Sequence, residues 1–316
     1  MVYGFPGTVP PADLLRRIRR GEAGAVILLR PNVPSPAAAR ALTRRLQAVP
    51  RPEAVDVPLL VMIDQEGGLV RRLDGPPSRS AADLGREGPR AARAAGRATG
   101  RFLAAAGVNV DLAPVADVAR PGSFLAATGR TFGRSPARVA GAAVAFSAGL
   151  QEAGVVPAAK HFPGLGAATR SSDEVPVRLP VSGGDLRRVD LRPFRALIAH
   201  RLPMVMLGTA TYPAVDPARP AALSRRVATD LLRGELGFHG VTVTDALDTP
   251  ALAPQGGAAA VALRAAGAGV DMLLHTGYAA GTASAAALAR AVRTGALPRA
   301  EAEAAVGRIL ALRADL

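Results

Sequence analysis

Eight short apolar runs recur along the chain, and five carry a charged or titratable residue at or beside their carboxyl end. The runs are Val2–Phe5, Ala25–Leu29, Leu59–Asp64, Val108–Leu112, Val155–His161, Met204–Leu207, Val241–Asp245 and Val270–Leu274. Helical stretches separate them. Pro11–Arg20 stops at Gly21, Pro36–Val49 follows the cap candidate Ser35, and Ser135-Pro136 opens a helix ending near Gly154. Ser224–Glu235 and Pro298–Arg313 complete the helices that read clearly. Strands alternating with helices predict parallel βα units. Eight such units predict an α/β fold, a (β/α)₈ TIM barrel forming one domain over residues 1–316. In that architecture function sits at the carboxyl ends of the strands. The polar residues there are Asp64, Asp111, Lys160 with His161, Asp245 and His275, and they are expected to share a pocket.

The stretch Val155–Gly166 is the most pointed of these. It starts apolar, breaks at Lys160 and His161, and ends in Pro163, Gly164 and Gly166, which reads as a buried strand running into a turn-rich loop. Lys160 is the only lysine among 39 basic residues. In a chain this biased toward arginine, a lone lysine marks a place that wants a compact ammonium and not a guanidinium fork.

Composition narrows the function classes. Aromatics make up 3% of residues and Trp is absent, so stacking platforms for single-stranded nucleic acid are not expected. The net charge of +14 comes from arginines spread as pairs such as Arg16-Arg17 and Arg225-Arg226, with no basic block or tail. Nucleic acid is therefore not an expected partner. There is no cysteine, so disulfides and thiolate metal sites are excluded. No His, Asp and Glu spacing suggests a metal, and no phosphate-binding glycine loop is present, so no cofactor is expected. No apolar run reaches 18 residues, so no membrane insertion is expected. Met1–Gly7 reads as a strand in the fold and not as a signal peptide, which points to the cytoplasm for the chain as given; secretion is the alternative where an upstream signal has been removed. A monomer is expected.

Four constellations carry the chemistry. The first is Ile63-Asp64-Gln65-Glu66-Gly67-Gly68 with Arg71 and Arg72 behind it, where Asp64 can accept from sugar hydroxyls and Arg72 can donate to them. Its two glycines are expected to let backbone approach a ligand closely. The second is Gly129-Arg130-Thr131-Phe132-Gly133, the third Lys160-His161-Phe162-Pro163-Gly164, and the fourth Thr242-Val243-Thr244-Asp245.

Together these motifs resemble glycoside hydrolase family 3, in its single-domain β-N-acetylhexosaminidase branch, over essentially the whole chain. Asp-Gln-Glu-Gly-Gly and Lys-His-Phe-Pro-Gly, about a hundred residues apart, are its most specific elements. The resemblance implies a (β/α)₈ catalytic domain that removes terminal β-linked N-acetylglucosamine, with retention of configuration, from a small carbohydrate or cell-wall-derived glycoside. By the same resemblance Asp245 matches the nucleophile. Asp64, Arg72, Arg130, Lys160 and His161 match the residues that hold the terminal sugar.

One segment departs from the family pattern. After Lys-His-Phe-Pro-Gly the hexosaminidase branch carries a His, then an Asp–His pair serving as acid/base. Here Leu165 replaces the first His, Ser171 stands where the pair's Asp would be, and Asp173 where its His would be. Three outcomes are open from the residues alone. Asp173 or Glu174 serves as a carboxylic acid/base with its pKa raised by burial under a closed loop. Turnover is confined to good leaving groups or another acceptor. Or the barrel binds sugar without cleaving it. A separate alternative is a Schiff-base aldolase with Lys160 as nucleophile, which leaves Asp245 and the Asp64 cluster without a task.

Overall fold

The expected strands are all present and pair in parallel. They are β1 Val2–Tyr3, β2 Ala25–Leu28, β3 Leu60–Ile63, β4 Val110–Asp111, β5 Val156–Phe162, β6 Met204–Leu207, β7 Val241–Thr244 and β8 Leu274–His275, in a computed structural model that describes residues 1–316. Hydrogen bonding runs from β8 to β1 and then in chain order to β7. The ring closes through a parallel bridge between Val243 and Met272. There the Thr244 N–H donates to the Met272 carbonyl at 3.0 Å and the Met272 N–H to the Thr242 carbonyl at 2.9 Å.

Side-chain alternation explains how this ring fills itself. Ala25 and Ile27, Leu60 and Met62, Met204 and Met206, and Val241 and Val243 point inward and form one apolar cluster. Their neighbours Val26 and Leu28, Val61 and Ile63, and Val205 and Leu207 point outward into the larger core under the helices. A period of two along each strand sorts one sequence into two layers, so the barrel interior is a packed core and not a pore.

The helices form where local chemistry caps them. Ser35 Oγ accepts the Ala38 N–H at 3.1 Å to start Pro36–Gln47, and Ser135 Oγ does the same for Pro136–Gln151. Gly154 follows the latter with φ of 75°, a left-handed turn that glycine takes at little cost. Expected Pro11–Arg20, Ser224–Glu235 and Pro298–Arg313 are observed as Ala12–Arg19, Arg226–Glu235 and Arg299–Ala314. No helix is long and apolar enough to cross a membrane.

Most strand boundaries differ from expectation by one or two residues, as where β1 ends at Tyr3, and β8 begins four residues late, at Leu274 instead of Val270. The second shift has a visible cause, because Asp271 is occupied in bracing the base of the ring. Its buried carboxylate accepts from the Thr242 N–H at 2.8 Å, from Arg233 at 2.6 Å and from Arg308 at 2.7 and 3.0 Å. The last helix lies across that base. It contributes Arg308, packs Ile309 into the inner cluster and donates from Arg313 to the carbonyls of Val57 and Pro58 at 2.6 and 2.7 Å.

Removing one member of a buried charge cluster leaves its partners unpaired, which costs about 3–5 kcal/mol. Asp271→Ala is therefore expected to lower the unfolding free energy by about that much, read from the denaturant midpoint at unchanged slope. A loss below about 1 kcal/mol would show that the brace contributes nothing net.

Candidate active site

The mouth is built from alternate strands. Asp64 follows β3, Lys160 and His161 lie in β5, and Asp245 follows β7. In a ring of eight, β3 and β7 stand opposite each other and β5 stands midway. The three strands thus aim their terminal side chains at one point, as expected of a single barrel layer.

Consecutive residues on a strand ordinarily face opposite sides, yet Lys160 and His161 both line the mouth. A β-bulge accounts for this. Ala159 pairs with Val205 and Phe162 with Leu207, so two residues of β5 stand opposite the single residue Met206 of β6. A bulge at a barrel rim re-aims side chains.

A cavity of about 420 Å³ results, lined by Asp64, Arg72, Arg130, Lys160, His161, Asp173, Glu174 and Asp245 among others. Asp64, Arg72, Arg130, Lys160, His161, Asp173 and Asp245, the residues that the motifs and the resemblance named, all line it. Its floor is a lattice of charge. The buried Lys160 ammonium sits 2.6 Å from Asp64 Oδ1 and 2.7 Å from Glu66 Oε1. Arg130 makes a bidentate pair with Glu66, both contacts at 2.8 Å, and Arg72 reaches Asp64 at 3.2 Å. Burial alone would raise the Asp64 carboxyl, but Lys160 and Arg72 outweigh it and hold the group well below the usual carboxylate range. Glu66 is likewise pushed up by burial and brought down to about 2 by Lys160 and Arg130. Burial would lower the Lys160 ammonium, yet Asp64 and Glu66 raise it above its ordinary value. Three cations against two carboxylates leave one positive charge in excess.

Local structure holds these groups. A two-stranded hairpin, Gln65–Gly67 with Val70–Arg71, returns the chain so that the Gln65 side chain accepts from the Arg72 and Leu73 N–H groups at 3.0 and 3.2 Å. Gly67 and Gly68 serve this turn and do not touch the cavity: a Cβ on Gly67 would come within 2.3 Å of the Arg79 carbonyl. Arg130 leaves a short helical turn, Phe124–Ala127, through Gly129 at φ of 68°.

Opposite the floor, Asp245 is fixed at both ends. Its N–H donates to the Leu207 carbonyl at 2.8 Å and its Oδ1 accepts from the Ala246 N–H at 2.8 Å. The free Oδ2 lies 4.0 Å from His161 Nε2. Asp173 stands on the loop after β5, which is tied down by Thr209 Oγ1 donating to the Ser172 carbonyl at 2.8 Å and the Ala251 N–H donating to the Asp173 carbonyl at 3.2 Å. The negative charge of Asp245, followed by burial, pushes Asp173 up to about 6. Asp173 is exposed at the mouth by surface area, so the charge of Asp245 and not loss of water is the cause that governs it. At the start of the same loop Leu165 is buried in the outer core, and Gly166 lies where a Cβ would come within 1.9 Å of the Val118 carbonyl.

Two sequence candidates do not belong to this mouth. Asp111 is fully buried beneath it, where it accepts from the Gln65 N–H at 3.0 Å, and burial raises its pKa well above the usual range. His275 is sealed in the barrel wall with neither ring nitrogen hydrogen-bonded, and burial lowers its pKa. Two residues were missed. Glu66 lies two positions past Asp64, the spacing that returns a side chain to the same face of an extended segment. Asp117 supports His161 from behind, with His161 Nδ1 2.7 Å from Asp117 Oδ2. A lone carboxylate inside the otherwise apolar Ala113–Val118 run was the available signal.

Residues 10–312 match the model of the glycosyl hydrolase family 3 N terminal domain. A protein of Arthroderma benhamiae, named an uncharacterized secreted glycosyl hydrolase, is 36% identical over 100% of this chain and 92% of its own length. The solved structure of a glycoside hydrolase family 3 β-N-acetylglucosaminidase from Paenibacillus sp. superposes with a TM-score of 0.93 at 36% identity, covering 99% of this chain; the chain spans 60% of that protein. The crystal structure of a β-N-acetylhexosaminidase from Beutenbergia cavernae superposes with a TM-score of 0.90 at 34% identity, covering 99% of this chain and 96% of that one.

The floor generates a pH prediction. Glu66 has a folded pKa of about 2 against an ordinary 4.5, so the stability it contributes is fully present above pH 4.5 and is lost as pH falls toward 2. Glu66→Gln is expected to destabilise the protein at pH 7 by about 1.5–3 kcal/mol, the worth of a hydrogen bond to a charged group. It should also flatten the acid limb of the stability curve. An acid limb identical to wild type would remove Glu66 from the folding balance.

Proposed function

The chain belongs to glycoside hydrolase family 3, and from that premise we propose that residues 1–316 form one catalytic domain, a retaining β-N-acetylhexosaminidase-like hydrolase in which Asp245 is the nucleophile and Asp173 the acid/base. The observation that carries the reading is the placing of these two carboxylates in one cavity above the Asp64–Lys160–Glu66 floor, with Asp173 held partly protonated by Asp245. The substrate is a terminal N-acetylglucosamine of a small or cell-wall-derived glycoside. The chain is proposed to act as a monomer.

In the first step Asp245 Oδ2, the oxygen not held by the Ala246 N–H, attacks the anomeric carbon. Asp173 gives its proton to the departing glycosidic oxygen. The bond to the aglycone breaks as the ester to Asp245 forms. In the second step Asp173 takes a proton from water, the water oxygen attacks the same carbon, and Asp245 leaves as carboxylate. Two inversions give net retention. The switch of Asp173 from acid to base follows from electrostatics. Esterification removes the charge on Asp245, which is the largest cause of the raised pKa, so Asp173, having given up its proton, stays ionised until a base is needed. Asp64, Arg72, Arg130, Lys160 and His161 supply charged acceptors and donors for the sugar hydroxyls.

The Schiff-base alternative fails on charge. Imine formation needs a neutral amine, and Lys160 is buried between two carboxylates that hold it as ammonium.

Asp245→Ala is expected to keep its far-ultraviolet circular dichroism and melting transition while p-nitrophenyl β-N-acetylglucosaminide hydrolysis falls by on the order of 10⁴-fold or more. Undiminished turnover would remove Asp245 from the chemistry. Asp173 carries its proton below pH 6 and loses it above, so kcat/KM for an unactivated disaccharide should fall as pH rises through about 6. Asp173→Ala should abolish that fall, costing about 10²–10⁴ on the disaccharide and less on the aryl glycoside. A flat profile from pH 5 to 8 in the wild type would show that another group is the acid.

A further inference from the structure

We propose that Asp117 is a positioning residue: it fixes the tautomer and the plane of the His161 ring, and so decides which ring nitrogen meets the sugar. The inference rests on the reading of the cavity as a sugar site, and it adds a residue that no sugar touches. Asp117 is fully buried and does not line the cavity. It lies in the loop after β4, which bridges onto β5 through Val115 and Lys160 and through the Ala116 N–H donating to the Lys160 carbonyl at 2.7 Å. Both oxygens of its carboxylate are committed. Oδ2 lies 2.7 Å from His161 Nδ1, Oδ1 accepts the Leu165 N–H at 2.6 Å, and the His161 N–H donates to the pair at 3.2 and 3.3 Å.

Hydrogen-bond chemistry sets the consequence. An ionised carboxylate only accepts, so the short contact requires the proton on Nδ1 whether the ring is neutral or charged. That leaves Nε2 as the atom facing the cavity, 4.0 Å from Asp245 Oδ2. In the neutral ring Nε2 is then an acceptor for a sugar hydroxyl; in the charged ring it is a donor. Without Asp117 the bulge would still point the ring inward, but nothing at Nδ1 would choose the tautomer or stop rotation about the ring axis. Carboxylates that orient an imidazole in this way are worth about 10–100-fold in function where they have been removed from metal-bound histidines.

Asp117 also accepts the Leu165 N–H at the start of the loop that carries Asp173, so a purely structural role must be separated. Asp117→Asn does this. Its side-chain oxygen can keep the Leu165 contact while its amide faces Nδ1 as a donor, which drives the proton to Nε2. The experiment is a double-mutant cycle with His161→Ala, using kcat/KM on aryl β-N-acetylglucosaminide, together with nitrogen-15 NMR of the His161 ring, one of four histidines. Asp117→Asn alone should lower kcat/KM by about 10–100-fold. On the His161→Ala background it should cost no more than about twofold, the usual error of additivity. The NMR should show the proton on Nδ1 in the wild type and on Nε2 in Asp117→Asn. Equal losses on both backgrounds, or a wild-type ring protonated only on Nε2, would overturn the proposal. If Asp117→Asn does not fold, the wild-type tautomer alone decides it. If the wild type cleaves no β-glycoside, the hydrolase reading fails, and the NMR still decides the role of Asp117.

Discussion

The ammonium of Lys160 is the contact on which the site depends. Asp64 and Glu66 are both ionised below the surface, and two buried carboxylates on one short segment would repel each other and lose their water. One compact cation at 2.6 and 2.7 Å from the two resolves this, because a single Nζ with three donors can face both oxygens. A guanidinium is wider and planar and would have to choose one carboxylate for its fork. The arginines present do choose: Arg130 takes Glu66 in bidentate fashion and Arg72 takes Asp64. A chain that otherwise uses arginine throughout keeps its one lysine where an arginine could not do the work.

That floor is rigid because the barrel delivers it from separated points of a closed ring. Asp64 and Asp245 end strands that stand opposite each other, and Lys160 and His161 come from the strand between. The inner layer of Ile27, Met62, Met206 and Leu274 lies directly beneath and leaves no room for the charged layer to sink. The bracing of Asp271 and the last helix sits at the far end, so stability and function occupy different faces of one core. The bulge in β5 is the one irregularity in this scheme, and it doubles what that strand contributes to the mouth.

The short apolar runs alternating with helical stretches and the cap signals of Ser35, Ser135 and Gly154 made the fold legible in the sequence, because each is set by interactions within a few residues. The gathering of Asp64, Arg72, Arg130, Lys160, His161, Asp173 and Asp245 was legible too, through strand ends and motifs. What was not legible depends on partners distant in sequence. Asp111 and His275 also sit at strand ends, but a strand end does not say how deep a side chain lies. Asp111 is covered by the hairpin that begins at Gln65 and His275 by the wall. Glu66 and Asp117 act by touching Lys160 and His161, pairings that appear only once β3, β4 and β5 are side by side. The glycines after Glu66 were read as ligand contacts and instead make a tight turn against Arg79.

The loop after β5 starts inside the protein at Leu165 and reaches the rim at Asp173. Leu165 is packed into the outer core, where an imidazole would bury polar atoms without partners. On the proposed roles, an acid/base made from Asp173 then draws its proton affinity from its neighbour. A histidine titrates near neutrality by itself, whereas an aspartate needs a reason to stay protonated, and the charge on Asp245 is the largest such reason here. On those roles the charge of Asp245 raises the proton affinity of Asp173, and esterification of Asp245 would release it. Such an acid needs no buried pocket, which is consistent with Asp173 standing exposed at the rim while Asp245 is held fast at the strand end.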